Sequence, residues 1–186
     1  MINFFQNLSD VTSTPGMGRV LWTPCSAILT YPAVPATGTT PGETVIAVGD
    51  FTFAPGNGWL ELRNDLLKGS EMDSKSMGDI AAPGLEVVSK TRVIGLSPQL
   101  VEQYINMVGL PGVALVQDSK CRSDQWWAIG CDCDPAFLTF EFKSGTKGGN
   151  DAKATALEFK SMQAPYLYSG TVLLQQYIAI SIIYNP

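Results

Sequence analysis

The sequence predicts a mainly β protein, an antiparallel β-sandwich or part-barrel with one short flanking helix. Extended segments rich in β-branched and aromatic residues recur along the chain, and several alternate apolar with polar residues. Eighteen Gly and 12 Pro lie among these segments, which is typical of turns that end strands. One segment, residues 97–108, repeats its apolar residues at helical spacing. Successive strands in the second half favour hairpins over a parallel sheet.

Size and charge limit the class of protein. The 186 residues suit a single domain, residues 1–186, with a loop-rich N-terminal third. Twelve Lys and Arg against 17 Asp and Glu give a net charge of -5, and the positive charges are scattered singly. Such a surface repels nucleic acid instead of gripping it. No apolar run reaches membrane-helix length and the N-terminus lacks a secretory pattern, so we expect no membrane partner and synthesis in the cytoplasm.

The chain contains no histidine. Histidine is the usual general base and a common metal ligand, because its pKa lies near neutrality. No other cluster of reactive side chains replaces it, and the spacing of the acidic residues pairs no two of them. We therefore expect no enzyme, no catalytic residue, no metal and no cofactor, and a function that depends on shape and self-association.

The N-terminal third contains four predicted strands, at residues 19–22, 26–31, 44–48 and 59–63. Pro and Gly are dense between residues 32 and 43, which prevents regular strand pairing there. This part of the chain is therefore expected to consist of short extended pieces joined by loops.

A polar segment at residues 64–84 follows. Within it, residues 71–77 alternate weakly, which indicates either a mostly exposed strand or an arm that becomes ordered against a partner. The segment is long for an ordinary loop, and we expect an extended arm. A clearer strand is predicted at residues 85–96, with Leu85, Val87 and Ser89 on one face.

The predicted helix at 97–108 has recognisable ends. Ser97 suits the N-cap and Pro98 the first helical position, while Gly109 suits the stop. A helix this short must pack against a sheet. The residues expected on its packed face are Leu100, Val101, Tyr104, Ile105 and Val108.

The second half carries the strongest strand signals, at residues 113–117, 125–129, 135–143 and 152–161. These strands are expected to form successive hairpins, a meander that runs to the C-terminus. Residues 164–170 are expected to connect to one or two buried strands at 172–184. The side chains expected to face inward from the alternating strands are Leu138, Phe140, Phe142, Leu157 and Phe159.

The string Cys131-Asp132-Cys133-Asp134 is the most metal-like in the chain. In an extended strand its two cysteines share one face and its two aspartates the other, and the spacing differs from the pairs that bind zinc. With Cys25 and Cys121, the four cysteines are expected to be reduced and mostly buried. A disulfide of Cys121 with Cys131 or Cys133 is the alternative.

Trp126 and Trp127 are adjacent in a predicted strand, so they must point to opposite faces. One of them lies outside the core of a single sheet. A subunit contact could cover it, and stacking on a sugar ring is the alternative.

The order of elements resembles that of virion structural proteins of tailed phages that infect Bacteroidetes-type bacteria, most of all the major tail tube protein. The likeness runs from the Gly/Pro-rich N-terminal part through the polar segment, the strand at 85–95, the short helix and the strands that end at Ser161 and Gly170. The resemblance implies that six copies form a ring, that their inner sheets join into one barrel, and that rings stack into a tube conducting DNA.

The resemblance also implies partners and surfaces. The partners would be further copies of the chain, other virion proteins and DNA that passes without specific binding, all in the virion. Residues expected at subunit contacts are Glu71, Met72, Met77, Asp79, Trp126 and Trp127. Acidic residues expected to line the channel are Asp132, Asp134, Glu141 and Glu158. Nearby lysines (Lys143, Lys147, Lys153 and Lys160) weaken a simple acidic wall.

Two other functions fit the sequence. A head–tail connector, tail terminator or capsid decoration protein would share a small β fold and differ in how rings stack. A β-sandwich that binds carbohydrate or a receptor would present an exposed aromatic beside Asp or Asn, and residues 126–134 are the place to expect it.

Overall fold

The computed structural model describes residues 17–34, 43–62, 71–78, 84–94, 97–118, 125–143 and 154–175. The strands of this part are β1 (Met17–Pro24), β2 (Ile28–Thr30), β3 (Thr52–Phe53), β4 (Leu60–Leu62), β5 (Glu71–Met77), β6 (Gly84–Ile94), β7 (Gly112–Asp118), β8 (Trp126–Ile129), β9 (Phe137–Lys143), β10 (Ala154–Ser161) and β11 (Tyr166–Tyr168). One α-helix, α1 (Pro98–Met107), lies between β6 and β7. The mainly β prediction with one short helix is confirmed.

Two antiparallel sheets make up the sandwich-like fold. The central sheet has the strand order β11-β8-β7-β1-β4, and the outer sheet has the order β5-β6-β10-β9. β2 and β3 form a separate two-stranded ribbon. The two larger sheets do not close into a barrel within the described residues.

The two larger sheets pack face to face over one hydrophobic core, which we call the sandwich interior. The interior takes side chains from both sheets and from the helix, and its largest members include Trp22, Tyr104 and Phe159. Each of these side chains is almost fully buried. At about 25 cal/mol per Å² of apolar surface, this burial is the main stabilising contribution to the fold.

The opposite face of the central sheet is also covered. Short segments between residues 25 and 59 pack on it and form a second core with Leu21, Leu115 and Tyr168. Phe51 lies at the middle of this core, with ring centroids 5.1 Å from Trp59 and 5.0 Å from Tyr168, both edge to face. The central sheet is therefore the middle of three layers, and its side chains are buried on both faces.

The helix packs on the sandwich interior through a face that matches the predicted one only in part. Tyr104 and Met107 are buried, whereas Ile105 is 59% exposed and Val108 is 44% exposed. The helix therefore turns two of its expected core residues to solvent. It ends as expected at Gly109, whose φ of 79° is a left-handed conformation that favours glycine.

Two predicted strands of the N-terminal third are wrong in part. Residues 44–48 begin with a 3₁₀ turn, Glu43–Val45, and then make only single bridges at Ile46 and Val48. The segment at 26–31 likewise starts with the 3₁₀ turn Cys25–Ala27 before β2. Apolar residues in this region pack as single side chains on the central sheet, so regular pairing is not required to bury them.

The predicted meander is also wrong. β7 and β8 form a hairpin in the central sheet, but the chain then crosses to the outer sheet, where β9 pairs with β10 and β10 pairs with β6. Residues 164–170 are more than a connector, because β11 returns to pair with β8. Strand periodicity is local, whereas the choice of strand partner depends on the packing of both sheets.

The polar segment contains a strand of the sheet. β5 pairs with β6 over its whole length, from Glu71 opposite Lys90 to Met77 opposite Gly84. The interpretation as a mostly exposed strand is confirmed, and the extended arm expected over residues 64–84 stays a prediction. The flanking residues 63–70 and 79–83, and the predicted strands beyond residue 175, lie outside the described part.

Candidate assembly surface

The outer sheet presents a charged face to solvent. Alternate side chains of its four strands point away from the sandwich interior, and we call this surface the outer face. Cross-strand pairing places Glu71, Lys90, Glu158 and Thr139 in one row across all four strands. By strand alternation the face carries five acids (Glu71, Asp73, Glu86, Glu141 and Glu158) and five basic positions (Lys75, Lys90, Arg92, Lys143 and Lys160) within the described residues. The face is therefore close to neutral and rich in both signs.

Ion pairs link neighbouring strands on this face. Lys90 Nζ lies 3.5 Å from Glu71 Oε1, and both side chains are largely exposed. Lys160 pairs with Glu86, whose side chain is only 16% exposed. The exposed pair of Lys90 with Glu71 contributes about 0–1 kcal/mol, so these two charges do more for the surface potential than for stability.

A shallow depression lies in the middle of the outer face. It has a volume of about 420 Å³ and is lined by Lys90, Thr139, Glu141, Ala156 and Glu158, among others. The small side chain of Ala156 lies between longer charged ones, which creates the depression. It is open and charged, unlike the enclosed and mostly apolar pockets that hold small molecules.

The two sheets differ at their edges. Each edge of the central sheet is covered in part by another segment of the chain: Ala47 N–H donates to Leu167 O in β11 (2.8 Å), and Trp59 N–H, just before β4, donates to Leu173 O (2.9 Å). In the described part of the chain, β5 and β9 each pair on one side only. An unpaired edge is a template for pairing with another chain.

Apolar side chains lie exposed at the open edges of the outer sheet. Phe137 at the start of β9 is 45% exposed, and Phe142 near its end is 37% exposed. At the other edge, Met77 is exposed and Met72 is half-buried against the sandwich interior. These residues are candidates for contact with another chain, because single strands at a sheet edge cannot bury them alone.

The predicted contact residues fall in two places. Glu71, Met72 and Met77 lie together on the edge strand β5, and Asp79 lies outside the described residues. Trp126 is buried in the second core with its side chain 5% exposed, which corrects its prediction as a subunit contact. Trp127 is half-buried on the opposite face of β8.

The four acids predicted to line the channel also lie in two places. Glu141 and Glu158 share the outer face, but Lys90 lies beside Glu158 in the same row. Asp132 and Asp134 lie in the connection between β8 and β9, off that face. The structure therefore places two of the four acids on one surface and mixes them with bases.

The connection that holds Asp132 and Asp134 is organised by local hydrogen bonds. Cys131 N–H donates to Asp134 O (3.1 Å), and Cys133 N–H donates to Asp132 Oδ1 (2.9 Å). Cys25, Cys131 and Cys133 are free thiols, and Cys133 is exposed, so the expectation of mostly buried thiols is wrong for it. The Asp132 carboxylate raises the pKa of the Cys133 thiol. Within the described residues, no three His, Cys, Asp or Glu side chains are grouped as metal ligands would be.

A second open cavity, of about 580 Å³ and less enclosed than the depression of the outer face, lies on the other side of the molecule beside Trp126. Arg19 lines it, with Cζ 5.8 Å from the centroid of the Trp126 ring and Nε donating to Glu61 Oε1 (2.6 Å). Asp50 and Gln117 add a carboxylate and an amide to the lining. The sequence gives no signal for this cavity, because its residues come from distant segments.

A tyrosine network supports the wall of this cavity. The Tyr168 hydroxyl lies 2.9 Å from Thr171 O and 3.2 Å from Asp50 Oδ1, and it can donate to either. Asp50 Oδ1 also accepts from Thr171 N–H (2.8 Å). Burial raises the pKa of Tyr168 to about 12, and burial likewise raises the pKa of Tyr166 and of Tyr31. These phenols are therefore neutral structural groups at ordinary pH.

Comparisons of the chain with protein-family models, with curated proteins and with solved structures found no match. None of the helices in the described ranges has the length and apolar character needed to cross a membrane.

Proposed function

We propose that this chain is a self-assembling structural protein of a virion, and first of all the major tail tube protein of a tailed phage. The observation that carries the proposal is the outer sheet, which combines a charged outer face with two edges that have no strand partner among the described residues. The central sheet, by contrast, has covered edges and two buried faces. Assembly would therefore use the outer sheet and leave the central sheet as the support behind it.

Strand directions favour closure of a ring. The four strands of the outer sheet alternate in direction, so its two edge strands, β5 and β9, run in opposite directions. The β9 edge of one copy can therefore pair antiparallel with the β5 edge of the next, all around a ring. Six copies would give about 24 strands and a barrel roughly 45–50 Å across at the backbone. A barrel of that size accommodates a DNA duplex.

The outer face would line the channel of such a barrel. A wall that mixes acids and bases in equal numbers neither attracts DNA strongly along its length nor repels it strongly. This mixed wall replaces the acidic wall expected from the sequence. DNA would pass without specific binding, and the other partners would be further virion proteins after synthesis in the host cytoplasm. The proposal assigns no catalytic step to the chain.

A head–tail connector, tail terminator or capsid decoration protein is the closest variant of this proposal. These proteins would use the same open edges and differ in whether one ring stacks on the next. The number of stacked rings therefore distinguishes the variants.

A carbohydrate- or receptor-binding module is the second candidate function. The cavity beside Trp126 favours it, because a cation, a carboxylate and an amide converge there from Arg19, Asp50 and Gln117. The indole of Trp126 is nearly buried, so a sugar ring could meet only its edge. A glycan array with the purified chain tests this candidate.

Negative-stain electron microscopy of the purified chain, with its mass in solution measured on the same sample, tests the leading proposal. We expect rings or hollow tubes from the wild type. The double variant Phe137→Lys, Phe142→Lys places charges at the β9 edge and should stay monomeric. Val48→Lys is the matched control, because Val48 is an exposed apolar residue away from the outer sheet. A monodisperse wild-type monomer at high concentration would contradict the proposal.

A further inference from the structure

We infer the register in which two copies of this chain join: β9 of one copy pairs end to end with β5 of the next. In this register Phe137 lies opposite Met77, and Phe142 lies opposite Met72. The inference deepens the proposed ring assembly and rests on it.

The faces of the two sheets restrict the possible registers. A continuous sheet keeps its polar side chains on one face, so Phe137, Thr139 and Glu141 must align with the outward residues of β5. A shift of one residue would turn every side chain of the added strand to the wrong face. Allowed registers therefore differ by steps of two residues.

Strand length favours one of the allowed registers. β5 (Glu71–Met77) and β9 (Phe137–Lys143) both have 7 residues. They overlap completely when Phe137 lies opposite Met77. Among the described residues, every other allowed register leaves at least two residues of each strand without a partner and loses the corresponding hydrogen bonds.

The tilt of the strands gives an independent argument for the same register. Within one copy, the row that contains Phe137 crosses Lys160 and Val88 and reaches Asp73 on β5. In the inferred register Phe137 lies opposite Met77 of the next copy, which is four residues along β5 from Asp73. Each copy therefore displaces the row by four residues. Four residues rise about 13 Å while four strands span about 19 Å, which corresponds to a tilt of about 35°. Closed barrels have strand tilts of about 35–45°, so a barrel of any copy number can close in this register.

The neighbouring registers fit less well. A displacement of two residues gives a tilt of about 19°, too shallow for a barrel, and places Glu141 opposite Glu71. A displacement of six residues gives about 46° and places Glu141 opposite Lys75, but Phe137 then has no partner on β5.

Side chains at both ends of the joined strands gain partners in the inferred register. Phe137 and Met77 are exposed on the outer face and would cover each other. Phe142 and Met72 lie on the side of the sandwich interior, at opposite edges of the sheet, and would extend that core across the junction. One unfavourable pair remains, Glu141 opposite Asp73, because like charges directly opposite each other destabilise a sheet.

Cysteine cross-linking of the full chain tests the register. The exposed native thiol is first removed by Cys133→Ser, and Thr139→Cys is then combined with Lys75→Cys. These positions lie directly opposite in the inferred register. The matched controls combine Thr139→Cys with Asp73→Cys or with Met77→Cys, which correspond to the neighbouring registers. We expect a ladder of covalent oligomers after mild oxidation from the Lys75→Cys combination and at least a fivefold lower yield from both controls.

The outcomes separate the inference from the proposed function. A ladder from either control combination, with none from the Lys75→Cys combination, would overturn the register and leave ring assembly standing. Assembled particles that give no ladder with any combination would also overturn the register. A chain that forms neither particles nor ladders would overturn both.

The like-charge pair supplies a second readout. Glu141→Gln removes the repulsion with Asp73 and should lower the concentration needed for assembly by about two- to fivefold. Glu158→Gln is the control, because Glu158 shares the outer face but lies one strand away from the junction. An equal effect of both substitutions, or a weaker assembly of Glu141→Gln, would count against the register.

Discussion

The central and outer sheets of this molecule differ in what they leave exposed. The central sheet is buried on both faces, and its edges are covered by residues near Ile46 and Leu173. The outer sheet is buried on one face, and its described edges are open. The central sheet therefore holds the molecule together, while the outer sheet keeps the hydrogen-bonding groups and charges that another chain can meet.

The largest difference should appear when a side chain is shortened in each sheet. Leu115 is fully buried in β7, so Leu115→Ala should lower the free energy of unfolding by about 2–5 kcal/mol. Val88 is half-buried on the outer face, so Val88→Ala should cost about 1 kcal/mol or less. Urea unfolding of both variants measures the two losses in the free energy of unfolding. Equal losses would mean that the two sheets are equally buried in solution.

The sequence predicts this difference in part. β7 contains Val-Ala-Leu-Val, a continuous apolar run that is typical of a strand buried on both faces. β10 alternates apolar with polar residues, which is typical of a strand with one face exposed to solvent. Neither pattern identifies the partner of a strand. The crossing from β8 to the outer sheet and the return of β11 depend on packing among residues far apart in the chain.

The candidate surface was predictable along β5 and at two acids of the outer face, Glu141 and Glu158. The exposed, weakly alternating residues 71–77 indicated a strand available to a partner, and Glu71, Met72 and Met77 lie at an open edge. The β9 edge was missed because Phe142 was expected in the core, whereas its position near the end of an edge strand leaves it 37% exposed. Trp126 was predicted at a subunit contact because only one face of its sheet was expected to be buried. The central sheet is covered on both faces, so Trp126 is buried in the second core.

Alkaline pH should weaken the core that covers the central sheet. The pKa of Tyr168 rises from 10.0 to about 12 in the folded chain, so the unfolded chain loses this proton first. The stabilising contribution is complete below pH 10 and is lost as the pH rises from 10 to 12. The free energy of unfolding should therefore fall across this range, and less steeply in Tyr168→Phe. Identical pH profiles for the two proteins would show that Tyr168 does not couple folding to pH.

The smallest effect concerns one buried hydroxyl in each sheet. Thr23 Oγ1 in β1 donates to Gly58 O (3.2 Å), so Thr23→Val should cost about 1 kcal/mol. Ser89 Oγ in β6 is buried with no hydrogen-bond partner in the described part of the chain. Ser89→Ala should leave stability unchanged or raise it slightly, since it removes an unpaired polar atom from the sandwich interior. Thermal unfolding measures the change in stability of both variants. A clear loss of stability in Ser89→Ala would show that the Ser89 hydroxyl has a hydrogen-bond partner.

Hydrogen–deuterium exchange of the wild-type chain at low and high protein concentration tests whether the outer sheet joins one copy to the next. Peptides that cover β5 and β9 should exchange more slowly at high concentration, because assembly pairs their open edges. Peptides that cover β4 and β11 should not change, since both edges of the central sheet are already covered within one copy. Slower exchange at β4 or β11 instead, or no dependence on concentration anywhere, would show that the edges of the outer sheet do not join copies of the chain.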